Sequence, residues 1–320
     1  MKYNLSTKSK PAYRARSLNN LLHMGHCAPA VMKTVNEINH TGQDGLVKLM
    51  AGMPGGIGNT GFECGGITSP LVILGLRSGL TEMREGLPLI FDQGHAYYRR
   101  FSDENHASSC KDILNPRLPL GCIHAVRHSP ELLAETLACD HCPAIPPEQR
   151  EAYSHLYAHM TQNGFHCAHA VFQHLGLSLP VNQELLDATS AFMGGTLFKG
   201  LTCSAYAAGV MAIGLKIGEI ENSYLRVARM LAIMASGGYA FKDDLNKFNR
   251  SINTGRRLAK WFQAEFGSTQ CQTITGCDFS SAEGAGKYIA GDGITRCRRI
   301  ANMVAEQAQA ILEKSEQGLQ

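Results

Sequence analysis

Two ordered sets of four cysteines, Cys27, Cys64, Cys110 and Cys122, then Cys167, Cys203, Cys271 and Cys297, are the residues of this 320-residue chain best suited to chemistry. Thiolates are the favoured protein ligands of iron–sulfur clusters and four per centre is the usual complement, so each set supplies the donors of one cluster. Cys64 and Cys203 follow glycine-bearing turns, Gly55-Gly56-Ile57-Gly58 and Gly194-Gly195, and precede an apparent helix start. Free backbone N–H groups and the helix dipole there favour a thiolate. Glycines also let backbone approach bulky inorganic sulfide and offer it N–H···S contacts. Two other readings of the same thiols remain open: structural groups of a zinc-stabilised interaction protein, and a metal-free thiol–disulfide oxidoreductase.

A second constellation lies at the middle of the chain. Cys139 and Cys142 are followed by His155 and His159, the ligand arithmetic of a Cys2His2 zinc site, and the i, i+4 histidines share one helix face. A polar linker with incidental histidines is the alternative. Pro146 and Ala152 stand where a DNA-reading finger has its aromatic and leucine positions, which argues against a nucleic-acid module. All 13 histidines fall between His23 and His174. His26 and His166 each precede the first cysteine of a set, and neighbours on a helix point about 100° apart, so a position behind the ligands or at the surface is expected for them.

The elements that must position these residues repeat with them. Gly25-His26-Cys27-Ala28-Pro29-Ala30-Val31 returns as Gly164-Phe165-His166-Cys167-Ala168-His169-Ala170-Val171, and Gly61-Phe62-Glu63-Cys64 as Gly200-Leu201-Thr202-Cys203. Gly94 and Gly255 stand 16 positions before Cys110 and Cys271, with Phe101 and Phe262 between them. Leu18, Leu21, Leu22, Ala28, Val31, Met32, Val35 and Ile38 fall at helical spacing and predict one amphipathic helix. Thr68-Ser69-Pro70 predicts another helix start, as cap and first-turn proline. An insertion at about 219–254, with Leu225, Ala228, Leu231 and Ile233, predicts an extra helix against the second half. The resulting expectation is an all-α fold of two tandem homologous helical-bundle modules related by a pseudo-twofold. Residues 1–138 form the first, 139–149 a Pro-rich junction holding the CxxC, and 150–320 the second.

Composition narrows the class of protein. Lys plus Arg of 30 against Asp plus Glu of 27, with 44% hydrophobic residues, is a nearly neutral globular balance, implying no nucleic acid or membrane partner. No export signal or membrane span is visible, so a cytoplasmic location is expected. Eleven cysteines cannot be exhausted by intrachain disulfides, which favours metal or redox work.

On these residues the chain resembles the C-GCAxxG-C-C family of redox-active proteins, whose helical module has about the length of one half and four defining cysteines. The resemblance runs once through each half. It places the family's first cysteine at Cys27 and Cys167, its second at Cys64 and Cys203, and its third and fourth at Cys110 and Cys122, then Cys271 and Cys297. Both halves depart from the family's C-G-A-x-x-G string, having Gly65-Gly66-Ile67 after Cys64 and Ser204-Ala205-Tyr206 after Cys203. A related cytochrome group adds c-type haem, but Cys142 is followed by Pro143, no C-x-x-C-H occurs, and haem is not expected. The resemblance implies redox chemistry, here electron transfer to a partner protein, by a monomeric pseudo-dimer or a homo-oligomer. The second half is expected to hold the better-formed centre. Its third and fourth cysteines have the family's spacing, whereas the first half shortens that interval and adds Pro116 and Pro119.

Overall fold

The computed structural model describes residues 3, 5, 10–114, 120–139, 145–177, 179, 181–221, 224–235 and 250–317. The first half consists of α1 (Lys10–Met24), α2 (Cys27–Ile38), α3 (Asp44–Leu49), α4 (Gly65–Ser78), α5 (Leu89–Asn105), α6 (Cys110–Leu114) and α7 (Leu120–Leu137). A short hairpin, β1 (Met83–Arg84) with β2 (Leu87–Pro88), joins α4 to α5. The second half consists of α8 (Pro147–Gln162), α9 (Cys167–His174), α10 (Gln183–Ala188), α11 (Ser204–Ile217), α12 (Tyr224–Ala235), α13 (Arg250–Phe266), α14 (Cys271–Thr275), α15 (Ala282–Ala290) and α16 (Gly293–Gln317). The fold is all-α, and the order of cysteine-bearing helices is the same in both halves: α2, α4, α6, α7 against α9, α11, α14, α16.

The halves pack by exchange across a pseudo-twofold. α4 and α11 are the most apolar helices and are buried almost throughout. Gly75 of α4 lies against the Asp187 and Ala188 carbonyls of α10, and Gly214 of α11, at the matching place, lies against α3. A Cβ on Gly214 would stand 2.6 Å from the Lys48 carbonyl oxygen, so only glycine lets these backbones meet. Each half therefore covers the other's central helix, and one hydrophobic core runs from Tyr3 to Leu312. Apolar burial of about 25 cal/mol per Å² makes this shared core the main stabilising force.

Three expectations change with the tertiary structure. The single helix over 18–38 is two helices, because Gly25 adopts φ 73° and donates its N–H to the Leu21 carbonyl at 2.8 Å, closing α1. Cys27 consequently opens α2 instead of lying inside a longer helix. α4 starts at Gly65, with Cys64 as its cap, so Pro70 lies inside the helix. The proline releases the Gly66 carbonyl from its i+4 bond. Tyr97 of α5 donates to that oxygen at 2.6 Å and Ser129 of α7 at 2.9 Å, so the broken rung becomes a three-helix tie. Among the described residues the inserted helix α12 packs on α1 of the first half, where Tyr224 meets His23, and residues 236–249 of the insertion lie outside the described residues.

Candidate redox site

Six of the eight repeat cysteines stand at helix N-termini. Cys27, Cys110, Cys167 and Cys271 are first residues of α2, α6, α9 and α14, and Cys64 and Cys203 cap α4 and α11. The second and third thiols of each half are joined by a small backbone ladder. Cys64 N–H donates to the Ser108 carbonyl at 3.0 Å and Cys110 N–H to the Phe62 carbonyl at 2.6 Å. In the second half Cys203 N–H donates to the Thr269 carbonyl at 2.8 Å and Cys271 N–H to the Leu201 carbonyl at 2.7 Å. The local sequence fixes neither bridge; both are long-range pairings that bring two helix starts side by side.

The glycine turns hold the largest surprise in the backbone. Residues Gly55, Gly56, Ile57, Gly58 and Asn59 all have φ between 58° and 81°, and Gly194, Gly195, Thr196, Leu197 and Phe198 all lie between 57° and 69°. Left-handed conformation costs roughly 1–2 kcal/mol per non-glycine residue and rarely persists beyond one residue, so five in a row must be held by their surroundings. The holding contacts come from the opposite half. Tyr206 donates its hydroxyl to the Ile57 carbonyl at 2.9 Å, and His95 Nε2 lies 2.8 Å from the Leu197 carbonyl. Burial pushes the His95 imidazole down to about 3, so the ring is neutral and Nε2 carries its proton toward that acceptor. Phe198 is clamped between Phe91 of the opposite half and Tyr153 of its own, with ring centroids 5.1 and 5.7 Å away.

These turns aim backbone N–H groups at sulfur. Gly55 N–H points to both Cys27 and Cys110, and its counterpart Gly194 points to Cys167. Gly66 N–H donates to Cys64 Sγ at 3.4 Å, and the amides of Ala205 and Tyr206 serve Cys203. Glycine is required at the walls: a Cβ on Gly65 would stand 2.5 Å from Cys27 Sγ, and one on Gly195 2.5 Å from the Cys271 Cβ.

The structure brings Cys27, Cys64, Cys110 and Cys122 into mutual electrostatic contact, despite the short interval before Cys122. Pro116 and Pro119 lie outside the described residues. Cys167, Cys203, Cys271 and Cys297 line one small pocket with Ser204, Ala205, Ile274, Thr275 and Ile300. The expectation of ready thiolates at Cys64 and Cys203 is overturned. Burial raises both thiols, Cys203 to about 12, because the amides offset only part of the lost hydration. Cys27 alone among the eight is lowered, by a hydrogen bond from Cys122 and by the Ala28, Gly55 and Gly65 amides. Thiols that resist ionisation on their own become a donor set when a cation supplies the missing charge.

The two centres differ in their surroundings. In the second, Tyr288 of α15 hydrogen-bonds Cys297, and a fifth buried thiol, Cys277, lies close enough to act on Cys271 and Cys297. Sequence repetition left both residues outside its frame, since they sit in the longer interval peculiar to this half. The first has instead the Cys27–Cys122 contact. His166 is buried, capping α9 and stacked on His169 at 3.7 Å, so a surface position is excluded for it. At the junction, Cys139 is in a disulfide and offers no thiolate, Cys142 lies outside the described residues, and His155 and His159 sit on α8.

Glu63, immediately before Cys64, was not foreseen as a site residue, although the repeat pairs it with Thr202. It is buried and reaches across the pseudo-twofold, accepting from Thr202 N–H at 3.1 Å, from the Thr202 hydroxyl, and from the Thr196 hydroxyl at 3.3 Å. Burial lifts its carboxyl above the usual range. A raised folded-state value means the fold holds the proton, so stability is greatest below the ordinary carboxylate range and falls as pH rises through the folded value. Denaturant midpoints compared between wild type and Glu63→Gln are expected to diverge with rising pH, the wild type losing ground. A difference that stays constant from about pH 4 to 8 would show that Glu63 ionises normally in the fold.

Among the described residues no helix is long and apolar enough to cross a membrane. A family model described as "Putative redox-active protein (C_GCAxxG_C_C)" matches residues 25–144 and, a second time, 165–311. No curated protein and no solved structure matches the chain.

Proposed function

The chain belongs to the C_GCAxxG_C_C family, once in each half, and from that premise we propose that its four-thiol cages hold iron–sulfur centres that pass electrons to a partner protein. The observation that carries this reading is the second cage, four largely buried thiols around one pocket with backbone amides aimed at sulfur. The donor set fits. Four thiolates are the usual complement of a cluster, and N–H···S contacts stabilise negative charge on the ligands. The pocket is small, so the thiols must turn outward to admit a cluster core.

In the first half a second reading has its own support. Cys27 and Cys122 are hydrogen-bonded to each other and Cys27 is lowered, the arrangement of a dithiol that cycles with a disulfide.

What the chain's own residues contribute is placement, exclusion of water and the tuning of sulfur charge by amides and by Tyr288. Protein purified without oxygen is expected to be brown, with visible absorbance and matched iron and acid-labile sulfide. Colourless protein with stoichiometric zinc would support the structural reading, and colourless metal-free protein with one titratable dithiol would leave only thiol–disulfide exchange.

A further inference from the structure

Beyond Cys122, α7 carries two histidines on one face, and α5 packs beside it. His124 Nε2 lies 3.2 Å and His128 Nδ1 3.6 Å from the same oxygen of Glu104, Oε1. The two imidazoles are stacked, centroids 4.2 Å apart, because i, i+4 residues are neighbours on one helix face. All three ligand atoms lie within 4.8 Å of one another. A zinc ion bound at about 2.0–2.1 Å by nitrogen and oxygen holds its tetrahedral ligands roughly 3.3–3.5 Å apart, which is close to the spacing already present.

We propose that Glu104, His124 and His128 form a separate binding site for a divalent transition-metal ion of the zinc type, with a remaining position open to water. Two imidazoles and one carboxylate suit borderline cations such as Zn2+ or Co2+; Ca2+ and Mg2+ want oxygen ligands. A second carboxylate stands beside the site: Arg14 of α1 holds Glu131 through both oxygens at 2.5 and 3.0 Å, and Glu131 lies 3.8 Å from His128 Nδ1, where its charge favours a cation. Glu104 and His124 are partly exposed, so an ion enters from solvent.

The repeat provides an internal control. Counted from Gly94 and Gly255, Glu104 corresponds to Glu265; counted from Cys122 and Cys297, His124 and His128 correspond to Arg299 and Met303. The acid is kept and both imidazoles are gone. Arg cannot ligate a cation and a methionine thioether is only a weak acceptor, so the site belongs to the first half alone. It gives His124 and His128 a role that the thiol cages do not.

The test titrates the full chain, purified without oxygen, with Co2+ alone. Thiolate-bound Co2+ shows intense sulfur-to-metal charge-transfer bands, whereas a two-histidine, one-carboxylate site shows weak d–d bands without them. One equivalent of the second kind is expected. His124→Arg combined with His128→Met, which copies the second half, is expected to weaken that equivalent at least about tenfold and leave thiolate-bound metal unchanged. Glu104→Gln, which alters one partly exposed group, should weaken it in the same direction and decides the matter if the double variant folds poorly. The proposal is overturned if all bound Co2+ carries thiolate bands, or if Glu104→Gln and the double variant bind as wild type does. Neither result bears on the iron–sulfur reading, which is scored by iron and sulfide.

Discussion

Cys203→Ser is expected to remove most of the iron, acid-labile sulfide and visible absorbance of anaerobically purified protein, and Cys64→Ser to remove much less. Both residues cap a central helix and both receive amide hydrogen bonds, so the local chemistry lost is the same. The difference lies in what surrounds them. The second cage has all four thiols on one pocket, a tyrosine hydroxyl on Cys297 and a nearby fifth thiol. In the first, Cys122 is already engaged with Cys27, and one donor pair is turned inward on itself. Serine keeps the size of cysteine but offers a hydroxyl that iron ligates far less well than a soft thiolate. The asymmetry would be refuted if Cys64→Ser emptied the protein while Cys203→Ser left it coloured, and equal partial losses would indicate two equivalent centres.

Gly195→Ala is expected to destabilise the fold by roughly 2–5 kcal/mol, combining left-handed strain of about 1–2 kcal/mol with overpacking of about 1–3 kcal/mol. Gly195 has φ 69°, and an added Cβ would stand 2.5 Å from the Cys271 Cβ and 2.7 Å from the Leu201 nitrogen. Neither neighbour can move freely, since Leu201 and Cys271 belong to the ladder that sets the second and third thiols together. On the iron–sulfur reading proposed above, the variant should therefore lose bound iron as well as stability. Gly267→Ala isolates the backbone part, because Gly267 has φ 76° with open space around it. If the two variants unfold at the same denaturant concentration, the close approach of the turn to Cys271 is not real.

Much of this architecture was legible in the residues. Helical period, the ordered repetition of four cysteines and the recurring glycines are local or additive properties of the chain, and they led to an all-α fold of two related modules. Helix termini were less legible. Gly25 ends α1 where apolar spacing alone runs on, because a single positive φ overrides periodicity. Pro70 sits inside α4 because Tyr97 and Ser129, distant in sequence, take the carbonyl it frees.

The cages themselves were decided by tertiary structure. Cysteine spacing shows that four thiols exist per half, not that Cys122 can reach Cys27 across a short interval, nor that Tyr288 and Cys277 attend only one centre. Thiol charge was misjudged for the same reason: helix-start amides are visible in sequence, but the burial that outweighs them is a property of the packed core. The left-handed turns at 55–59 and 194–198 include Ile57, Thr196, Leu197 and Phe198, residues whose own preferences oppose that conformation. They persist because Tyr206, His95 and Glu63 bind them from the other half. Sequence determined the donors and their order; contacts between halves decided their geometry, because only long-range packing holds a backbone against its local preference.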